Sequence, residues 1–199
     1  MTGPFLKRDG EGIALPGPAI GLIEVSSIAR GLVVADAVVK RAPVELALAR
    51  PVSPGKFVVV ITGEVAEIEE AMQAGGEVAG TLQIDRLFLP QAHPALLRCL
   101  NGGRRAAGLA SLGIVETVSV AATLLAADAA CKSSEVELAE LRLADGLGGK
   151  AYFVVTSTLD LVEAAIAAAV RILAPNLLVD SELIAAPHGD LIELLRRTR

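Results

Sequence analysis

Lys40 and Lys132 each follow an aspartate by four residues, Asp36 and Asp128. On a helix that spacing sets an ammonium beside a carboxylate, an ion pair worth about 0.2–0.5 kcal/mol when exposed. His93 and His188 stand in matching contexts, Pro90-Gln91-Ala92-His93 and Ala185-Ala186-Pro187-His188, each opening a short helical stretch. No carboxylate or cysteine sits at ligand spacing from either, so helix capping or packing is expected of them rather than metal binding. Cys99 and Cys131 form no metal-ligand spacing either. Each is expected to act as a small apolar residue, and a cytosolic chain would not bridge them. Two turns are rich in Gly and Pro, Pro51–Lys56 and Ala144–Lys150. The run Gly146-Leu147-Gly148-Gly149-Lys150 lacks both the spacing and the following helix of a phosphate-binding loop. No nucleophile–base pair is present. The chain is therefore expected to be no enzyme and to hold no cofactor or metal.

These residues come in pairs because the chain states its plan twice. Gly21-Leu22-Ile23-Glu24-Val25-Ser26-Ser27 returns as Gly113-Ile114-Val115-Glu116-Thr117-Val118-Ser119. The offset of 92 residues also matches Ala35-Asp36-Ala37 and Lys40 to Ala127-Asp128-Ala129 and Lys132, and Val44-Glu45-Leu46 to Val136-Glu137-Leu138. One offset held over two elements marks two copies of one domain. Matching Lys56 to Lys150 requires an offset of 94, so the second copy carries two extra residues in its turn.

In the first copy, Ala19 to Val25 reads as a strand. Ser26-Ser27 caps a helix from Ile28 to about Arg41, and Pro43 ends it. Strands are expected over Val44–Ala49 and Phe57–Thr62, joined by the turn Arg50–Lys56. A helix from Glu64 to about Ala74 follows, its end weakened by Gly75-Gly76. A strand over Leu82–Leu89 and a short helix over Pro94–Leu100 complete the copy. The second copy repeats this plan with strands over Leu112–Val118, Val136–Leu143, Lys150–Thr156 and Leu177–Ile184. Its helices are expected over Val120–Lys132, Leu159–Leu173 and Gly189–Arg197. Each copy thus reads β-α-β-β-α-β with one helix added, which is a ferredoxin-like α/β sandwich. The fold class is α/β (α+β), two such domains in tandem. The expected organisation is a flexible arm over 1–18, a first domain over 19–100, a linker over 101–110 and a second domain over 111–199.

The 199 residues are 53% hydrophobic but only 3% aromatic, with a net charge of −5. An acidic chain without tryptophan is not expected to bind nucleic acid. The most apolar stretch, Leu161 to Val179, is broken by Glu163, Arg171 and Pro175, so no membrane span is expected and the chain should be soluble and cytosolic. Excess apolar surface on such a chain is expected to serve oligomerisation.

Ala19-Ile20-Gly21-Leu22-Ile23-Glu24-Val25-Ser26-Ser27, Ala35 to Lys40, and Pro54-Gly55-Lys56 with its Val/Ile strand and Gly63-Glu64-Val65 resemble the bacterial microcompartment shell domain. Gly113 to Val118, Ala127 to Lys132 and Gly148-Gly149-Lys150 carry the same resemblance in the second copy. It covers residues 19–197. Two domains in one chain are similar to the tandem subclass, which forms homotrimers shaped like the hexamers of single-domain relatives. The unpermuted strand order implies a single-layer tile. The resemblance implies a structural shell protein, packed edge to edge with other hexameric and pentameric shell proteins around encapsulated enzymes. It places Lys40 and Lys132 along tile edges, with His93 and His188 in edge packing.

The resemblance further implies that Ser53, Pro54 and Gly55, with Gly146, Leu147, Gly148 and Gly149, line an axial pore for small polar metabolites. Some tandem relatives hold an iron–sulfur centre on that axis. It requires thiolates in a pore loop, and neither loop contains Cys. Gln91 and Ala186 replace an arginine found before the Pro-His of many relatives. The competing reading is a metabolite-binding regulator built on tandem ferredoxin-like domains, with a ligand at a subunit cleft.

Overall fold

The computed structural model describes residues 17–100, 110–144 and 146–197. Nearly all of the expected arm and linker therefore lies outside the described residues. The chain divides into two compact units, Met1–Gly102 with Asp145–Gly149, and Gly103–Ala144 with Lys150–Arg199.

The first unit runs β1 (Ala19–Val25), α1 (Ile28–Arg41), β2 (Glu45–Val52), β3 (Lys56–Gly63), α2 (Val65–Ala79), β4 (Gln83–Leu89) and α3 (Pro94–Leu100). The second runs β5 (Ser111–Thr117), α4 (Val120–Ser133), β6 (Glu137–Leu143), β7 (Ala151–Ser157), α5 (Leu159–Ile172), β8 (Leu178–Ile184) and α6 (Gly189–Arg197). The sheets are ordered β2-β3-β1-β4 and β6-β7-β5-β8, antiparallel throughout. This is the unpermuted ferredoxin-like order, present twice.

The duplication extends to irregularities. The ladder slips between Glu24 and Val25 in one copy and between Glu116 and Thr117 in the other. It slips again between Leu46 and Leu48, and between Leu138 and Glu140. Central strands β1 and β3 are apolar on both faces because both are covered, as a near-continuous buried run requires. On one face, Ile23, Val25, Phe57, Val59 and Ile61 form a core with Val34 and Val38 of α1 and Ile68 and Met72 of α2. In the second unit, Leu191 and Leu195 of α6 pack on Leu112, Ala139 and Val154.

Local signals set the helix starts. Ser27 Oγ accepts from Arg30 N and Ser119 Oγ from Ala122 N, each satisfying a first-turn amide. Glu64 and Glu67 form a reciprocal capping box on α2. At α5 the Thr158 hydroxyl donates instead to Asp160 Oδ1 at 2.6 Å, which holds that carboxyl below the usual carboxylate range.

Two expectations require correction. Helix α2 does not end near Ala74 but continues to Ala79. Gly75 is there for packing: a Cβ on it would stand 2.5 Å from Ile23 Cδ1 and 2.8 Å from Val38 Cγ1. The glycine lets the helix approach β1 and α1, and the roughly 1 kcal/mol propensity cost is carried by that contact. The turn expected over Arg50–Lys56 is shorter, because β2 pairs with β3 as far as Val52 and Lys56. Pro51 is tolerated in that ladder because β2 is an edge strand. Pro51 pairs with Phe57 and Leu143 with Ala151, so the two extra residues of the second copy do fall in the turn.

Bulk is exchanged between helix and strand across the copies. A Cβ on Gly31 of α1 would lie 2.3 Å from the Phe57 ring, while the same two positions in the second copy are Thr123 and Ala151, both buried. Gly31→Ala should therefore destabilise the first domain by about 1–3 kcal/mol through overpacking, despite alanine's better helix propensity. Faster hydrogen exchange of the β3 amides, with β7 unchanged, checks this.

Candidate functional site

The sequence-predicted site residues fall into two groups, turns and edges. In the first turn Ser53, Pro54 and Gly55 are exposed, the Ser53–Pro54 peptide is cis, and Gly55 has φ 75°. In the second, Gly146, Gly148 and Gly149 have φ of 71°, 61° and 92°, a region that side chains other than glycine's rarely enter. Gly146 and Gly148 are exposed and Leu147 half-buried, whereas Gly149 is buried. Inside the first unit, a Cβ on Gly149 would stand 3.3 Å from the Ser53 carbonyl oxygen and 3.4 Å from the Pro54 ring. The structure thus brings Gly149 to Ser53 and Pro54. Added side chains at Gly55, Gly146 and Gly148 would meet only open space, so these turns project.

Beside each turn stands an ion pair that the sequence reading did not connect. Lys56 Nζ donates to Glu24 Oε1 at 2.9 Å, and Lys150 Nζ lies 2.9 Å from Glu116 Oε1. Both glutamates belong to the repeated motif, which was the available signal; strand register was needed to pair them. Each carboxylate therefore largely neutralises the lysine charge beside its turn. The environments differ: the Glu24 side chain is 1% exposed and Glu116 34%. Glu24 Oε2 is buried and has no hydrogen-bond partner among the described residues. Removing Lys56 would strand a buried carboxylate, so Lys56→Ala should lower stability by about 3–5 kcal/mol. Lys150→Ala, acting on a solvated pair, should cost less than about 1 kcal/mol. Denaturant unfolding of the two variants side by side checks the contrast.

In the last turns of α1 and α4, Lys40 Nζ donates to Asp36 Oδ2 at 2.6 Å, and Lys132 Nζ pairs with Asp128 Oδ2. The i,i+4 geometry is formed in both copies, and both lysines are exposed. Asp36 is exposed as well, but Asp128 is buried. The histidines cap helices. His93 Nδ1 accepts from Ala95 N at the start of α3, and His188 Nδ1 accepts from Asp190 N at the start of α6, each at 3.3 Å. Cys131 is buried and Cys99 only half-buried, and the two form no disulfide. Among the described residues no group of three or more His, Cys, Asp or Glu could hold a metal ion, and no helix is long and apolar enough to cross a membrane.

A further surface escaped the sequence reading. Ile28, Leu32, Val33 and Val39 of α1 are exposed large apolar residues. Their counterparts on α4 are Val120, Leu124, Leu125 and Cys131, of which all but half-buried Leu125 are buried. A signal was available: α4 has Ala122 and Ser133 where α1 has Arg30 and Arg41, and a helix apolar nearly all round reads as a buried one.

Comparison with known proteins accounts for the duplicated fold. The BMC domain family model matches residues 19–92 and again 111–187. The bacterial microcompartment shell protein PduT of Citrobacter freundii is 38% identical over 174 residues, covering 87% of this chain and 95% of that protein. The carboxysome assembly protein CcmO of Synechocystis is 30% identical over 145 residues, covering 65% of this chain and 48% of that protein. The crystal structure of a microcompartment protein from Desulfitobacterium hafniense superposes with a TM-score of 0.84 at 40% identity, covering 88% of this chain and 98% of that one. The fused permuted hexameric shell protein MSM0275 of the RMM microcompartment shares the fold, with a TM-score of 0.58 at 20% identity over 78% of this chain and 84% of that one. The chain belongs to the BMC domain family, as a bacterial microcompartment shell protein with two domains in tandem.

Proposed function

We propose that the chain is a facet tile of a microcompartment shell in the cytoplasm, assembled as a homotrimer of six domains around an axial pore. Its role is structural rather than catalytic. The observation that carries the trimer is the contrast between α1 and α4. Leu32 is 46% exposed and its counterpart Leu124 is 0% exposed. An apolar stripe that is covered in one copy and open in the other needs a partner. A second copy of this chain supplies one, and head-to-tail contacts of that kind close into a ring.

The edge lysines, Lys40 and Lys132, would then reach neighbouring tiles, with Asp36 and Asp128 orienting them. His93 and His188 would support the edge by fixing α3 and α6. The projecting turns would face the axis, offering the Ser53 hydroxyl and glycine amides to small polar metabolites. With Lys56 and Lys150 held by carboxylates, the opening would select by size and hydrogen bonding more than by positive charge. Partners would be other shell proteins and the enclosed enzymes. Native mass spectrometry tests the assembly: three times the 20.4 kDa chain mass is expected, and a monomer at micromolar concentration would overturn it.

A further inference from the structure

The two edges of the chain are not electrostatically alike. The solvent-facing positions of α2 are Glu69, Glu70, Gln73 and Glu77, all exposed. At the 94-residue offset α5 carries Glu163, Ala164, Ala167 and Arg171, also exposed. The charge reverses from Glu77 to Arg171. The helix dipole accounts for Arg171, which lies in the last turn of α5, but it disfavours Glu77 near the end of α2.

A second difference opens a groove. In the first copy Arg41 Nε bridges from α1 to Glu70 Oε2 of α2 at 3.4 Å. In the second copy both partners are gone, replaced by Ser133 and Ala164. Between α4 and α5 lies a groove of about 280 Å³, lined by Ala129, Lys132, Ser133, Ala168, Arg171 and Ile172. The edge lysine and the reversed charge thus border one recess. Among the described residues Arg171 has no acidic partner within the chain.

We infer that this groove receives the acidic α2 edge of a second copy of the chain, so that seams pair the first domain of one tile with the second domain of its neighbour. Charge complementarity selects this occupant: Glu77, held by Gln73 Nε2 at 3.1 Å, meets Arg171 and Lys132. Like-with-like seams would instead set Glu77 against Glu77 and Arg171 against Arg171. Discrimination of this kind comes from the repulsive alternative as much as from the attractive pair. The inference rests on the edge role proposed above and adds which edge meets which.

The test is a charge exchange read by electron microscopy of sheets. Arg171→Glu alone and Glu77→Arg alone should each raise the concentration at which sheets appear by about tenfold or more, since either change places like charges across every mixed seam. The double variant, Glu77→Arg with Arg171→Glu, should restore sheets by reversing the polarity of the same pair. Trimer mass confirms that each variant is folded. Singles that assemble like the unmodified chain, or a double variant that fails to recover, overturn the mixed seam. Loss of sheets from the unmodified chain itself is a separate result, which removes the shell role first.

Discussion

A chain carrying Lys40→Ala and Lys132→Ala should remain a folded trimer and form no sheets. Each lysine makes an i,i+4 ion pair in the last turn of its helix, and its loss costs the fold only about 0.2–0.5 kcal/mol at exposed Lys40. At Lys132 the cost is higher because Asp128 is buried, so thermal unfolding of the single variants should show Lys132→Ala as the less stable. Neither change touches the apolar stripe of α1, so the trimer mass is unchanged. Sheets fail because, in the proposed tile, a lysine would stand on every side. A lattice multiplies a weak contact by the number of seams, and removing it from all of them compounds the loss. The threshold concentration for sheets should rise by well over ~10-fold, beyond reach in ordinary preparations. Sheets of normal extent from this variant would remove the lysines from the seam.

Leu32→Glu should give the opposite phenotype, a folded monomer. Leu32 is about half exposed in the chain, so a glutamate there is solvated and the domain tolerates it. In the ring, the same side chain would have to be desolvated against a neighbour. A carboxylate buried without a partner costs several kcal/mol, and every 1.4 kcal/mol is a tenfold loss in affinity. A rise in dissociation constant of about 10²–10⁴ would leave monomers at micromolar concentration. The counterpart substitution supplies the control. Leu124 is fully buried within the chain, so Leu124→Glu should damage folding itself. One position, read in two copies, thus separates assembly from stability. Sedimentation velocity and circular dichroism on the pair measure both effects.

How much of this was legible depended on whether the determinant was local. β1, α1 and α3 fall where the pattern placed them, because the Ser27 cap lies beside the helix it starts and Pro94 opens the next. The end of α2 was misread because Gly75 resembles a stop signal and is in fact a contact with Ile23 and Val38, residues far away in sequence. The short first turn was misread because Pro51 looks like a breaker, and only the strand order shows that it lies on an edge. Lys40 and Lys132 were legible with their aspartates, since the pairs are four residues apart. Lys56 with Glu24 was not, because 32 residues separate them and register alone brings them together. The difference between α1 and α4 was missed for another reason. Burial of a helix face is set by what lies against it, and the one local hint, Ala122 and Ser133 in α4 for Arg30 and Arg41 in α1, was not used.

The measurement that bears most directly on the shell reading is electron microscopy of the purified, unmodified chain, with its mass determined on the same sample. A trimeric mass together with flat sheets of hexagonal tiles, each with a central opening, is the expected result. Discrete particles that never tile, at concentrations where the trimer is intact, would contradict it.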